Sequence, residues 1–118
     1  MTIKMYDLAG KDPERRFSPY CWRIRMALAH KRLPVETIPW RFIERDQLAF
    51  SGSTTVPVIV DGNEKVADSW KIALYLDEKY KDRMVLLGTE AAVGAMLFMR
   101  QWTERVIHIA IMRGVLLD

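Results

Sequence analysis

The 118-residue sequence holds one cysteine, Cys21, and only two histidines, His30 and His108. A single cysteine excludes an internal disulfide framework and fits a reducing, cytoplasmic setting. The histidines stand far apart without ligand spacing around them, so both read as structural and no metal is expected. No apolar run approaches the ~20 residues of a membrane span, and the opening residues lack the basic-then-apolar pattern of a secretory leader. Lys and Arg number 18 against 15 Asp and Glu, a formal charge of +3, with a pI near 9.2. The basic residues are dispersed, with no basic run and no interleaved aromatic platform. Nucleic-acid binding therefore has no support, and a solvated surface accounts for most of these charges. Repeats and low-complexity stretches are also missing.

What is present suits a globular protein: 50% of residues are hydrophobic and 28% charged. The length allows one compact domain, or one domain and part of a second.

The spacing predicts a strand over Ile3 to Leu8, a polar turn over Ala9 to Arg16, and a helix from about Pro19 to Lys31, with Ile24, Met26, Ala27, Leu28 and Ala29 at helical spacing. Arg32-Leu33-Pro34 ends that helix. Val35 to Trp40 alternates as a second strand, parallel to the first if the helix is a crossover. A short helical or irregular segment occupies Arg41 to Phe50, and Ser51 to Thr55 is a loop. Val56 to Val60 is a third strand, Asp61 to Glu64 a hairpin turn, and Lys65 to Ala67 a short antiparallel strand. Ser69 caps a further helix whose apolar face is Ile72, Ala73, Leu74, Leu76 and Tyr80. Residues 83–88 read as a linker. Thr89 and Glu90 then open a long helix reaching Leu117, apolar on more than one face and so in need of partners.

Three stretches carry candidate chemistry. In Phe17-Ser18-Pro19-Tyr20-Cys21-Trp22-Arg23 a strand leads through a polar turn into a helix start, with Ser18 as N-cap and Pro19 in the first turn. Ser18 and Cys21 occupy the two positions of a C-x-x-C motif, the first sulfur replaced by oxygen. A serine hydroxyl does not ionise there, but it donates a hydrogen bond to an anion such as a bound thiolate; simple capping is the plain alternative. Val56-Pro57 either starts a strand in the ordinary way or, with a cis bond, leaves the Val56 backbone groups to pair with an extended peptide. Asp68-Ser69 either caps a helix or matches the ammonium and carboxylate of an α-amino acid head group.

These stretches, with Thr55-Val56-Pro57-Val58-Ile59 and Ala67-Asp68-Ser69 followed by Ile72-Ala73-Leu74-Tyr75-Leu76, resemble the N-terminal domain of cytosolic glutathione S-transferases. Within that family, Phe17 to Arg23 and Gly52-Ser53-Thr54-Thr55-Val56-Pro57-Val58 resemble the bacterial β-etherase and fungal-type serine branch. The Ser18-to-Arg25 spacing also resembles the zeta class, but that class carries Ser-Ser-Cys-Ser where this chain has Ser18-Pro19-Tyr20-Cys21. The resemblance implies an α/β, thioredoxin-like βαβ-α-ββα domain over residues 1–82. Residues 89–118 would be the first helix of an all-helical second domain that is incomplete here. It further implies that Ser18 bonds the glutathione sulfur and that Val56, held by Pro57, pairs with its cysteinyl part. Asp68 and Ser69 would take the γ-glutamyl amine and carboxylate, and Arg45 or Gln47 the glycine carboxylate. The expected activity is transfer of glutathione to a hydrophobic or aromatic electrophile, in a cytoplasmic homodimer without nucleic-acid or membrane partners. A non-catalytic glutathione-binding or protein-interaction module is the alternative. Glutaredoxin-like exchange through Cys21 is a third reading, disfavoured by the missing partner cysteine.

Overall fold

The architecture comes from a computed structural model that describes residues 2–117. Strand β1 (Ile3–Leu8) leads to helix α1 (Pro19–His30) and strand β2 (Val35–Trp40). A 3₁₀ segment (Arg45–Ser51) precedes strands β3 (Val58–Asp61) and β4 (Glu64–Ala67) and helix α2 (Ser69–Lys79). The four strands form one mixed sheet in the order β2-β1-β3-β4. β1 and β2 are parallel, Ile3 opposite Val35, and the other two pairings are antiparallel. This is the thioredoxin-like arrangement expected from the sequence.

The core forms where the inward strand residues meet one stripe of each helix. Ile3, Met5 and Leu8 of β1 and Val58 and Ile59 of β3 are buried with Cys21, Ile24 and Leu28 of α1 and Ile72 and Leu76 of α2. Each large apolar side chain among them contributes about 1.5–3 kcal/mol through burial. Trp40 is buried too, its indole N–H donating to the Glu44 carbonyl at 2.8 Å. Met26 and Leu74, expected on the apolar faces, are instead 67% and 41% exposed. The buried stripe of α1 is the narrower set 21, 24 and 28, and Met26 falls on its far side.

Several boundaries differ from the sequence expectation. α1 stops at His30, and its end is built by Arg32 rather than by Pro34. Arg32 has φ 56°, its N–H donates to Ala29 C=O and that of Leu33 to Leu28 C=O, a Schellman closure with arginine where glycine is usual. β3 begins at Val58, after Pro57, which has no N–H for a ladder. It runs on through Asp61, and the two-residue turn between Asp61 and Glu64 uses Gly62 at φ 61°. Asp68, not Ser69, caps α2: its Oδ2 accepts from Lys71 N–H at 3.2 Å. The acid is placed to reach the third helical amide, while Ser69 is already the first helical residue.

Two buried charges tie the helices to the sheet and to the chain that follows. Asp61 Oδ2 accepts from the hydroxyls of Tyr80 (2.7 Å) and Tyr75 (2.9 Å) and lies 3.2 Å from Lys79 Nζ. Lys31, 1% exposed, pairs with Asp77 at 2.8 Å and donates to Tyr80 C=O. Asp77 in turn accepts from Leu86 N–H at 2.9 Å. His30 Nε2 lies 3.0 Å from Val85 C=O, a structural contact.

The chain divides into two compact units, 1–86 and 87–118. The second is a helical run, α3 (Glu90–Trp102), a π turn (Thr103–Ile107) and α4 (His108–Leu117). Thr89 caps α3 by accepting from Ala92 N–H at 3.2 Å. The π turn interrupts the single helix expected: the Thr103 hydroxyl donates to the Met99 carbonyl at 2.7 Å, and His108 N–H reaches back five residues to Thr103 C=O. Phe98, Trp102 and Ile111 are exposed. No helix among the described residues is long and apolar enough to cross a membrane.

Candidate glutathione site

Sheet register brings the three sequence motifs to one end of the first unit. Tyr6 of β1 stands opposite Val58, so Val56 and Pro57 lie toward the C-terminal end of β1. Val58 also pairs with Ala67, so Asp68 and Ser69 leave the sheet at that same end. The segment after β1 turns back as well. Ala9 bridges Arg16, and Gly10 N–H donates to Arg15 C=O at 3.0 Å, which returns Ser18 to the end of β1. Ligands of open α/β sheets bind at this end.

Ser18 caps α1. Its Oγ accepts from Cys21 N–H at 3.3 Å, and its carbonyl accepts from Trp22 N–H at 3.0 Å. The cap uses a lone pair only. The cap itself leaves the hydroxyl proton to donate to an anionic sulfur, the Cys21 thiolate or that of a ligand, so capping and binding an anion are compatible. Behind it lies the positive end of a twelve-residue helix, whose first-turn amides favour negative charge.

The Val56–Pro57 bond is cis. Among the described residues no hydrogen bond engages the Val56 N–H or C=O, which leaves both for an extended ligand backbone. Asp68 is exposed and adopts φ 74°, a region that costs a non-glycine residue about 1–3 kcal/mol. Such strain persists where the surroundings require it. Ser69 is buried at the start of α2, and its hydroxyl makes no hydrogen bond among the described residues. A carboxylate there would meet that hydroxyl and the positive end of α2.

Arg45 and Gln47 are exposed on the 3₁₀ segment, with no side-chain hydrogen bond among the described residues. That segment sits over the sheet through Phe50, whose ring is 5.3 Å from Tyr6 and lies beneath Lys65. Trp40 belongs to the core and not to the border of the site. Cys21 is fully buried. Burial pushes its pKa up to about 11; the Asp7 carboxylate adds to this, and hydrogen bonding with the Leu8 backbone and Ser18 offsets only part. A buried thiol with its pKa raised in this way stays protonated at pH 7, the opposite of an activated cysteine. Among the described residues no cluster of His, Cys, Asp and Glu could hold a metal ion.

Sequence reasoning passed over the charged layer under the site. Asp7 is wholly buried in β1, paired with Arg16 at 3.2 Å and Arg25 at 3.6 Å. A lone carboxylate within an apolar strand was the available signal. Phe17, 57% exposed beside Ser18, adds an apolar wall there.

Known proteins share this arrangement. The family described as "Glutathione S-transferase, N-terminal domain" matches residues 13–84. Glutathione S-transferase Z1 of Arabidopsis thaliana is 41% identical over 69 residues, covering 54% of this chain and 31% of that protein. A zeta-class glutathione S-transferase of Euphorbia esula is 34% identical over 70 residues, covering 55% of this chain and 31% of its own. The matched segment thus spans less than a third of these relatives. A glutathione S-transferase of Ceriporiopsis subvermispora, solved in complex with glutathione, superposes with a TM-score of 0.76 at 27% identity, covering 90% of this chain and 48% of that one. With its matched domain extending over more than half of its length, the chain belongs to the glutathione S-transferase family through that family's N-terminal domain.

Proposed function

We propose that this chain carries the glutathione site of a glutathione transferase and activates the glutathione thiol as a thiolate. The observation that carries this reading is the convergence of Ser18, Val56–Pro57 and Asp68–Ser69 on one end of the sheet. Each offers a group suited to one part of the tripeptide. Ser18 donates its hydroxyl proton to the sulfur, and the start of α1 favours the negative charge. The Val56 backbone pairs with the cysteinyl residue, as in strand addition. Asp68 takes the γ-glutamyl ammonium group, Ser69 and the α2 amides its carboxylate, and Arg45 or Gln47 the glycine carboxylate. Residues 1–82 are the glutathione domain in this reading, residues 83–88 a linker, and 89–118 the opening of a helical domain.

The chemistry then follows from charge. A thiolate held at Ser18 attacks an electrophilic carbon of a hydrophobic or aromatic co-substrate; a carbon–sulfur bond forms and the leaving group departs with its electron pair. In the serine branch suggested by Phe17-Ser18-Pro19-Tyr20, the leaving group is a phenoxide of an aryl ether. The Ceriporiopsis subvermispora structure, a glutathione S-transferase in complex with glutathione, supports glutathione as the co-substrate, whereas the Arabidopsis thaliana and Euphorbia esula relatives favour the zeta class over that branch. The enzyme works as a cytoplasmic homodimer. The exposed apolar residues of α3 and α4 favour a second reading, a glutathione-binding module whose second unit docks on a protein. Ser18→Ala tests the catalytic reading. It should raise the thiol pKa of bound glutathione by about one unit, tenfold less thiolate at neutral pH, with affinity nearly unchanged. An unchanged thiol pKa would remove Ser18 from the role assigned.

A further inference from the structure

Beneath the Ser18 turn lies a closed ring of contacts that the assigned site does not use. Asp7 Oδ2 accepts from Arg16 Nη1 at 3.2 Å, and Arg25 Nη1 lies 3.6 Å from the same oxygen. Asp7 Oδ1 accepts nothing among the described residues. Across the ladder Asp7 stands opposite Pro39, which is uncharged. Among the described residues, the charged and titratable groups facing it are the two guanidinium groups and the Cys21 thiol.

Arg16 is held on every side. Its Nε donates to Pro13 C=O at 2.6 Å while its Nη1 holds Asp7. Its carbonyl accepts from the Trp22 indole N–H at 2.8 Å, and its backbone bridges Ala9. The Trp22 ring in turn carries the Arg25 guanidinium 4.2 Å from its centre. The ring runs from Asp7 to Arg16, Trp22, Arg25 and back to Asp7, and Ser18 follows Arg16 by two residues. Replacing a buried ion pair by apolar packing is often neutral or stabilising, so stability alone gives little reason for this one.

We propose that Asp7 and Arg16 are positioning residues for Ser18, holding its hydroxyl against the glutathione sulfur, and that Arg25 leaves the layer with a net positive charge that favours the thiolate. This rests on the glutathione reading above. A bare carboxylate under a thiolate would oppose it; two guanidinium groups reverse that sign. Arginine rather than lysine is required at residue 16, because one fork must reach both Asp7 and Pro13 C=O.

The test is a pH titration of the thiolate absorbance of glutathione bound to the 118-residue chain, with affinity and thermal melting measured beside it. Arg16→Lys keeps the charge but not the fork, and should raise the bound-thiol pKa by about one unit with affinity held within about threefold. Arg16→Gln, which also loses the charge, should raise it further. Trp22→Phe keeps a ring face for Arg25 but frees the Arg16 carbonyl, and should move the pKa the same way by about half a unit; half-exposed Trp22 makes this the variant safest for folding. A bound-thiol pKa equal to the parent's in folded Arg16→Lys and Trp22→Phe would overturn the proposal while leaving the glutathione site standing. Failure of the parent chain to bind glutathione would overturn both together.

Discussion

Asp61 gives the first unit a strong acid-sensitive contact. Its Oδ2 accepts from Tyr80 at 2.7 Å and Tyr75 at 2.9 Å and faces Lys79 at 3.2 Å, while Oδ1 has no partner among the described residues. Hydrogen bonds to a charged acceptor contribute about 1.5–3 kcal/mol each, so the two tyrosines together supply about 3–6 kcal/mol. The buried, unpartnered Oδ1 returns about 1–3 kcal/mol of that as desolvation, which leaves about 0–5 kcal/mol net, ~2.5 kcal/mol at the midpoints. Asp61→Asn keeps one accepting oxygen and loses the charge, so it should lower stability by about 2 kcal/mol at pH 7. Tyr80→Phe should cost about 1–2 kcal/mol alone and clearly less in the Asp61→Asn background, because the pair shares one bond. The pH dependence has a definite sign. Burial pushes the Asp61 carboxyl up, but hydrogen bonds from Tyr80, Tyr75 and Lys79 outweigh it and hold the pKa below the ordinary 3.8. Its stabilisation is therefore complete above the unfolded pKa and fades as pH falls through the lower folded one. Urea unfolding of the parent and Asp61→Asn should show a constant gap from about pH 5 to 8 that narrows below about pH 4. A gap under about 0.5 kcal/mol at pH 7, or no narrowing by about pH 2, would refute the reasoning.

Arg32 closes α1 at φ 56°, a conformation glycine adopts without penalty, and its carbonyl contact with Arg83 survives side-chain removal. Arg32→Gly should stabilise the chain by about 0.5–1 kcal/mol in thermal or urea unfolding, and destabilisation would contradict the Schellman assignment. Cys21, buried with its pKa pushed up to about 11, should react with a thiol reagent at pH 8 only as fast as the chain unfolds. Cys21→Ser should likewise show no disulfide reductase activity to lose, and rapid labelling of the folded parent would reopen the redox reading.

Much of the first unit is legible because local pattern and tertiary demand agree. β1 and β2 carry their alternation within six residues each, and the Asp61 to Glu64 turn places glycine where a left-handed φ is needed. Ser18 is visible as a cap for the same reason: everything that makes it one lies within three residues. What stays hidden depends on distant partners. Asp7 is paired through Oδ2 with Arg16 and Arg25, nine and eighteen residues away, and nothing near it in sequence marks the pairing. Lys31 is buried only because Asp77 and the Tyr80 carbonyl meet it from α2 and its end. Met26 and Leu74 have the chemistry of core residues, but the helix rotation that turns them outward is set by packing. At the start of α2 two adjacent capping residues compete, and only backbone geometry gives the cap to Asp68 and leaves the Ser69 hydroxyl without a bond of its own. A hydroxyl of that kind, at a helix start, is suited to a ligand carboxylate.

The most direct test of the glutathione site is a calorimetric titration of the 118-residue chain with glutathione, repeated on Ser69→Ala. The expected result is saturable binding by the parent and a loss of at least about tenfold in affinity in the variant, since a hydroxyl to a charged carboxylate is removed at a helix start while the Asp68 cap remains. Equal affinity in the two chains, or no binding by a folded parent, would contradict the site.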